Sequence, residues 1–177
     1  MSQQREFETR FLPARNKMFR FALRLLGEVQ EAEDVVQDVL LKLWQQREKL
    51  AEIGNAEAWC MQLTRNLSLD RLKSHRRKLR TTLEGWDGAG EGATPYRATE
   101  VKDAMQRMQT AMRRLPETQR AVIHLREVEG YSYQEMAEVL SLEMTQVKVY
   151  LHRARKALRE KLMAEERYGL ATDRNAG

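Results

Sequence analysis

The sequence predicts an all-α protein: two small helical domains joined by a flexible linker. Three observations predict it. Only nine glycines and three prolines punctuate 177 residues, and four of those glycines fall between Gly85 and Gly92, so the remainder is nearly free of helix breakers. Apolar residues recur at three- and four-residue spacing on both sides of that stretch. Between the two periodic blocks, Thr81 to Thr99 reads TTLEGWDGAGEGATPYRAT, a composition without helical period that marks a linker.

The first block runs from Phe7 to Arg80. Phe11, Met18, Phe21, Ala22, Leu25 and Leu26 share a helical face, and Gly27 is placed to end that helix in a left-handed conformation. A second helix carries Val35, Val36, Val39, Leu40, Leu43 and Trp44. Gly54-Asn55 interrupts the pattern, and Asn55 can cap the next helix. That third helix has Trp59, Leu63 and Leu67 as its expected apolar stripe and continues into a basic run. The second block spans residues 100–165. Val101, Met105, Met108 and Met112 suggest one helix, and Pro116 suits the first turn of the next, which carries Val122, Leu125 and Val128 and ends near Gly130. Ser132 and Glu135 form a capping-box pattern for a short helix. A turn at residues 141–144 follows, with Thr145 expected to cap the last helix, whose inner face is Val147, Leu151, Ala154, Leu158 and Leu162. Residues 166–177 read as a tail, frayed beyond Arg167. Trp86 is the large apolar group of the linker.

Hydrophobic residues make up 42% of the chain, enough for a core, and charged residues 32%, more than usual for a globular protein. The formal net charge is +5, and its distribution is more informative than its size. Glu28, Glu31, Glu33, Asp34 and Asp38 form an acidic patch without a base close by in sequence. Arg71, Lys73, Arg76, Arg77, Lys78 and Arg80 form a basic run without an acid, and Arg153, Arg155, Lys156, Arg159 and Lys161 are a second basic cluster. Charge segregated in this way suggests one protein partner and one nucleic-acid partner. A single cysteine, Cys60, excludes an intrachain disulfide and reads as a small core residue. With no apolar run of bilayer length and no apolar signal segment at the N-terminus, a cytoplasmic protein is expected. No glycine-rich phosphate loop, nucleophile–histidine arrangement or metal-ligand spacing around His75 or His124 is present, so the chain reads as a non-enzyme without cofactor or metal.

The last two helices carry the clearest functional pattern. A short capped helix, a tight turn and a helix with a basic outer face make a helix-turn-helix, whose second helix enters the major groove. Its outward positions are Gln146, Lys148, Val149, His152 and Arg153. Amide and cationic side chains read adenine and guanine edges, and Val149 can meet a thymine methyl. Arg155, Lys156 and Arg159 suit phosphates.

At these residues the chain resembles the extracytoplasmic-function (ECF) subfamily of sigma-70-type RNA polymerase sigma factors. LPETQRAVIHLREVEGYSYQEMAEVLSLEMTQVKVYLHRARKALREKL looks like sigma region 4, including the Leu-Pro start and Arg153-Ala154-Arg155. In the first block, AEDVVQDVLLKLW resembles region 2.2 and AWCMQLTRNLSLDRLKSHRRK resembles regions 2.3 and 2.4. The resemblance covers residues 7–80 and 100–162, in the family's order.

The resemblance implies roles. Asp34, Gln37 and Asp38 would dock on the clamp helices of the largest polymerase subunit, the region 4 domain would meet the flap of the second-largest, and electrostatic complementarity fits the acidic patch. Trp59, Asn66 and Asp70 fall where the family handles the −10 element, with Asn66 at a position that holds a flipped non-template base. Arg71, Lys73, Arg76 and Arg77 would hold that strand's phosphates. Gln146, Lys148, Val149, His152, Arg153, Arg155 and Lys156 would meet the −35 element. Relatives also pair with an anti-sigma factor, often membrane-bound, so the chain would be held at the inner membrane without inserting into it. Thr145-Gln146 stands where many relatives have Gly-Thr, so base preference does not carry over. The two elements lie about 70 Å apart at ~35 Å per duplex turn, and nineteen linker residues reach ~65 Å at ~3.4 Å each. A conventional helix-turn-helix regulator would explain the last two helices but neither the acidic helix nor the region 2 motifs. A protein-binding helical adaptor would leave both basic clusters unexplained.

Overall fold

The computed structural model describes residues 2–83 and 100–174. The linker residues from Glu84 to Thr99, with Trp86, and the last three residues of the tail lie outside the described part. All described elements are helical: α1 Gln3–Arg10, α2 Arg15–Leu26, α3 Val29–Gln45, α4 Ala56–Leu83, α5 Glu100–Arg113, α6 Glu117–Ile123, α7 Tyr133–Leu140 and α8 Met144–Arg174. Short 3₁₀ turns cover Leu12–Ala14 and Arg47–Glu52, and a π-helical turn covers His124–Val128.

The first block is a three-helix bundle with α1 laid across its end. The expected N-terminal face is divided between α1, a 3₁₀ turn and α2, because Pro13 enters just after Phe11. Gly27 ends α2 at φ 78°, and its N–H donates to Leu23 O at 2.8 Å. The α3 stripe is as expected, with Val35, Val36, Val39 and Leu43 buried. Asn55 Oδ1 accepts from Ala58 N–H at 3.0 Å, capping α4. The α4 stripe differs from expectation by about one position. Cys60, Met61, Thr64 and Ser68 are fully buried, whereas Trp59 is 37% exposed and Leu63 and Leu67 lie at the edge. Small side chains let α4 approach α2 and α3 closely, and Thr64 Oγ1 satisfies itself on Cys60 O at 2.8 Å. α4 also runs three residues into the expected linker.

In the second block Pro116 precedes α6 as its cap instead of joining the first turn. Val122 and Leu125 are buried, but Val128 is 49% exposed, because the π turn rotates it out of the stripe. The capping box of α7 is complete: Glu135 N–H donates to Ser132 Oγ and Ser132 N–H to Glu135 Oε1, both at 3.1 Å. Ser141 closes α7 in the left-handed region at φ 53°. α8 begins at Met144, one residue before the expected Thr145 cap, and Glu143 N–H donates to Gln146 Oε1 at 3.0 Å. It continues to Arg174, through most of the expected tail.

The buried residues of the two blocks form one continuous cluster. α6 and the π turn pack on α2, and α7 packs on α4. This seam is rich in polar contacts. Arg20 donates twice to Glu129, from Nε at 2.8 Å and Nη2 at 3.0 Å. Tyr131 Oη donates to Glu57 at 2.9 Å, and Lys17 Nζ reaches the other oxygen of Glu57 at 2.8 Å. Arg120 Nη2 donates to Leu25 O at 3.1 Å.

Candidate nucleic-acid interface

α4 presents a continuous exposed face. Positions 59, 62, 66, 70, 73 and 77 recur every three or four residues, so they share one side of the helix. Trp59, Asn66, Asp70, Lys73 and Arg77 are exposed there, and Gln62 is half-buried. The side opposite carries Cys60, Met61, Thr64 and Ser68 into the core. The face grades from an aromatic ring and two amides at its start to cations at its end. That combination stacks and hydrogen-bonds bases at one end and holds phosphates at the other.

Two of the expected phosphate ligands are elsewhere. Arg71 turns toward α3, donating to Asp38 at 3.0 Å and lying 3.8 Å from Asp34. Arg76 pairs with Glu117 at the start of α6. The acidic patch thus has bases beside it in space, supplied by α4: Arg71 for Asp34 and Asp38, and His75 for Glu31. Gln37 and Asp38 remain exposed on α3, and beside them Leu41 is 55% exposed. Leu41 escaped the sequence reading, although its position three residues after Asp38 puts it on the same face. Leu41 thus adds an apolar group to a charged face.

α8 presents the second face. Lys148, Val149, His152, Arg153 and Lys156 are exposed together, opposite buried Val147, Leu151 and Ala154. Lys148 Nζ sits 5.8 Å above the Tyr133 ring, a cation–π contact that fixes its start. Gln146 is exposed, but its carbonyl oxygen is engaged by Glu143 N–H, leaving the amide NH₂ for a base. Arg155 departs from expectation. It points back to the π turn, with Nε 3.0 Å from Glu127 Oε1.

The two faces meet. Gln62 Nε2 donates to Ser141 Oγ at 2.8 Å, and Asn55 Nδ2 to Glu138 Oε2 at 3.4 Å. The turn of the helix-turn-helix therefore rests on the start of the α4 face. Local pattern does not signal this contact, because Gln62, Glu138 and Ser141 are polar residues with no motif around them. Among the described residues there is no cluster able to hold a metal ion and no helix long and apolar enough to cross a membrane.

Comparison with known proteins agrees with this layout. Residues 12–78 match the family described as Sigma-70 region 2, and residues 105–158 match Sigma-70, region 4. The ECF RNA polymerase sigma factor SigL of Mycobacterium tuberculosis is 36% identical over 147 residues, covering 80% of each chain. The ECF RNA polymerase sigma factor SigW of Bacillus subtilis is 26% identical over 157 residues, covering 84% of each. Among solved structures, the sigma factor RpoE of Bartonella quintana, in complex with the anti-sigma factor NepR, superposes with a TM-score of 0.71 at 25% identity, covering 89% of this chain and 96% of that one. CnrH, solved with the cytosolic domain of CnrY, shares the fold at a TM-score of 0.57 and 22% identity, covering 84% and 82%.

Proposed function

Because the chain belongs to the ECF subfamily of sigma-70-type RNA polymerase sigma factors, we propose that its two exposed faces divide promoter recognition between them. As a sigma factor it directs core polymerase to promoters; the residue assignments are our reading. α3 offers Asp34, Gln37 and Asp38 to the clamp helices of the largest subunit, with Leu41 as the apolar anchor. The region 4 half, residues 100–165, meets the flap of the second-largest. The α4 face captures the melted −10 strand: Trp59 stacks, Asn66 hydrogen-bonds a flipped base edge, and Lys73 and Arg77 hold phosphates. The α8 face enters the −35 major groove, with Lys148, Val149, His152 and Arg153 at base edges and Lys156 on the backbone.

The observation that carries this reading is the α4 face itself, a ring and amides followed by cations on one side of one helix. Asp70 on that face is suited to orienting its cationic neighbours. Arg71 acts at one remove. While Asp34 and Asp38 hold it, it is unavailable to phosphate, and a basic clamp surface that takes those carboxylates would release it to the strand. Arg76 is released likewise when α6 moves from α4. The chain makes and breaks no bond and works in the cytoplasm, where the polymerase is. An anti-sigma factor of the kind bound to the B. quintana relative is the expected antagonist.

Run-off transcription with purified core polymerase tests the reading. The protein should give discrete transcripts that Asn66→Ala abolishes while core binding persists. Duplex binding by α8 without core binding or transcripts would instead identify a conventional helix-turn-helix regulator.

A further inference from the structure

A cavity of about 360 Å³ opens on the seam between the two blocks. α2 supplies one wall, with Arg20, Leu23 and Arg24, and α5 and the π turn supply the other, with Met112, Arg113 and His124. Its volume is at the small end of the range of about 300–1,000 Å³ typical of small-molecule sites. Its charge is lopsided. Glu129, the neighbouring carboxylate, is already held by both nitrogens of Arg20. Arg24 is half-buried, and its Nε is buried without a hydrogen-bond partner. Arg113 is exposed at the rim. His124 is 1% exposed and stacked on Phe21 with ring centroids 5.5 Å apart. Its Nε2 lies 3.3 Å from Glu129 without hydrogen-bond geometry, and Nδ1 has no partner.

Buried polar atoms are almost always satisfied, and each one left unmet needs a physical account. Here the unmet atoms of Arg24 and His124 belong to side chains lining one cavity, with a further guanidinium at its mouth. A guest rich in acceptor oxygens would give the Arg24 guanidinium a partner, and the neutral His124 ring, with its single N–H, could donate to it at most once. We propose that the seam cavity binds a small phosphate-type anion, clasped between the guanidinium groups of Arg24 and Arg113 with the His124 ring behind it. Planar guanidinium forks match the oxygens of such a group. Leu23 and Met112 leave an apolar wall for a small organic part, so free phosphate and phosphate esters share the chemistry.

The walls come from both blocks, so the site is whole only when the blocks are packed together. A ligand that binds only that state favours it by mass action, about elevenfold in the closed-to-open ratio at a concentration ten times its Kd. Anion binding would therefore hold the −10 and −35 faces together and oppose engagement of core polymerase. That consequence rests on the proposed division of promoter recognition; the binding does not.

The test is calorimetric titration of the full chain with pyrophosphate and with inorganic phosphate at constant ionic strength. We expect saturable one-site binding, weakened about tenfold by Arg24→Gln and by Arg113→Gln, and unchanged by Lys148→Gln on the distant α8 face. Arg113 is exposed, so its variant keeps the fold even if Arg24→Gln does not. Preference for pyrophosphate over phosphate would point to a multiply charged ester. Absence of saturable binding by either ion, full affinity in Arg113→Gln, or equal weakening by Lys148→Gln would overturn the site. Transcription in the absence of added anion is a separate readout: a protein that initiates normally but binds neither ion refutes only the cavity proposal.

Discussion

Arg20→Ala should open the seam. Arg20 is the partner of Glu129 across the seam, holding both carboxylate oxygens at 2.8 and 3.0 Å. The Glu129 side chain is 2% exposed and the Arg20 side chain 46%. Removing the arginine strands a buried carboxylate beside a neutral imidazole. Charge-assisted hydrogen bonds contribute about 1.5–3 kcal/mol, and the water-exposed arginine end is screened, which keeps the figure toward the lower part of that range. A loss of about 2 kcal/mol shifts the closed-to-open ratio about thirtyfold, at 1.4 kcal/mol per factor of ten.

Energy transfer between dyes on Gln3→Cys and Glu160→Cys reads that ratio, since both positions are exposed and lie in different blocks. Native Cys60 does not compete for dye. It is fully buried, and burial pushes its thiol up to about 12. Arg20→Ala should enlarge the low-transfer population, and Glu129→Ala should do the same. The double variant should lose less than the sum of the two, because each single change leaves a partner unpaired. Distance distributions unchanged in both single variants, with helicity intact, would show that this ion pair does not hold the blocks together.

Acid should loosen the same seam. Burial holds His124 down to about 4, against opposing help from Glu129 and with Arg24 and Arg20 also disfavouring its cation. The unfolded chain therefore binds the extra proton first, so stability falls as pH drops from the ordinary value near 6.5 toward 4, by up to about 3 kcal/mol. Burial alone would raise the Glu129 carboxyl, but Arg20 and His124 together bring it below its usual value, so its protonation at still lower pH acts in the same direction. Denaturant midpoints between pH 7 and 5 should show this slope, and His124→Leu should flatten it. Ser132→Ala breaks the capping box and should cost about 1 kcal/mol, or a fall in Tm of about 2–4 °C. Lys156→Ala should weaken duplex binding evenly across sequences and lower the salt slope by about 0.9, whereas Val149→Ala should act mainly on one base step. A Cys60 thiol that reacts with a thiol reagent faster than the chain unfolds would contradict its placement in the core.

Local patterns in the chain carried most of the secondary structure. The valine and leucine stripe of α3, Gly27 behind α2 and Ser132 before Glu135 each state their geometry within a few residues, and the structure repeats them. The α8 face was also legible, because buried Val147, Leu151 and Ala154 force Lys148, His152 and Arg153 outward. Long-range pairing was not legible. Neither the neighbours of Arg71 nor those of Arg77 name a partner on another helix, yet one faces Asp38 across the α3–α4 contact and the other is exposed. The α4 stripe was misplaced for a related reason. Thr64 and Ser68 are polar by type, and their burial follows from the closeness of α2 and α3, while Trp59 is large and apolar but lies on the outer side.

The seam has a consequence for how promoters are read. Ser141, in the turn of the helix-turn-helix, touches Gln62, and Asn66 is one helical turn further, about 6 Å along the axis. The α4 face and the helix-turn-helix proposed to read elements about 70 Å apart are therefore in contact in this conformation. No rigid docking of the closed chain can satisfy both elements, whatever the base preferences of α8. Around the buried apolar cluster that the two blocks share, the rim contacts are ones that water and polyanions can replace: Arg20 with Glu129, Arg76 with Glu117, Tyr131 with Glu57 and Gln62 with Ser141. An apolar seam alone would resist parting without a partner of similar shape. A seam rimmed by ion pairs parts more readily when its charges find others of the right sign, and on the proposed reading promoter phosphates would supply one for Arg76. Opening and binding then draw on the same electrostatic interactions, so variants that weaken the rim should raise the rate of core engagement more than they lower the stability of either block.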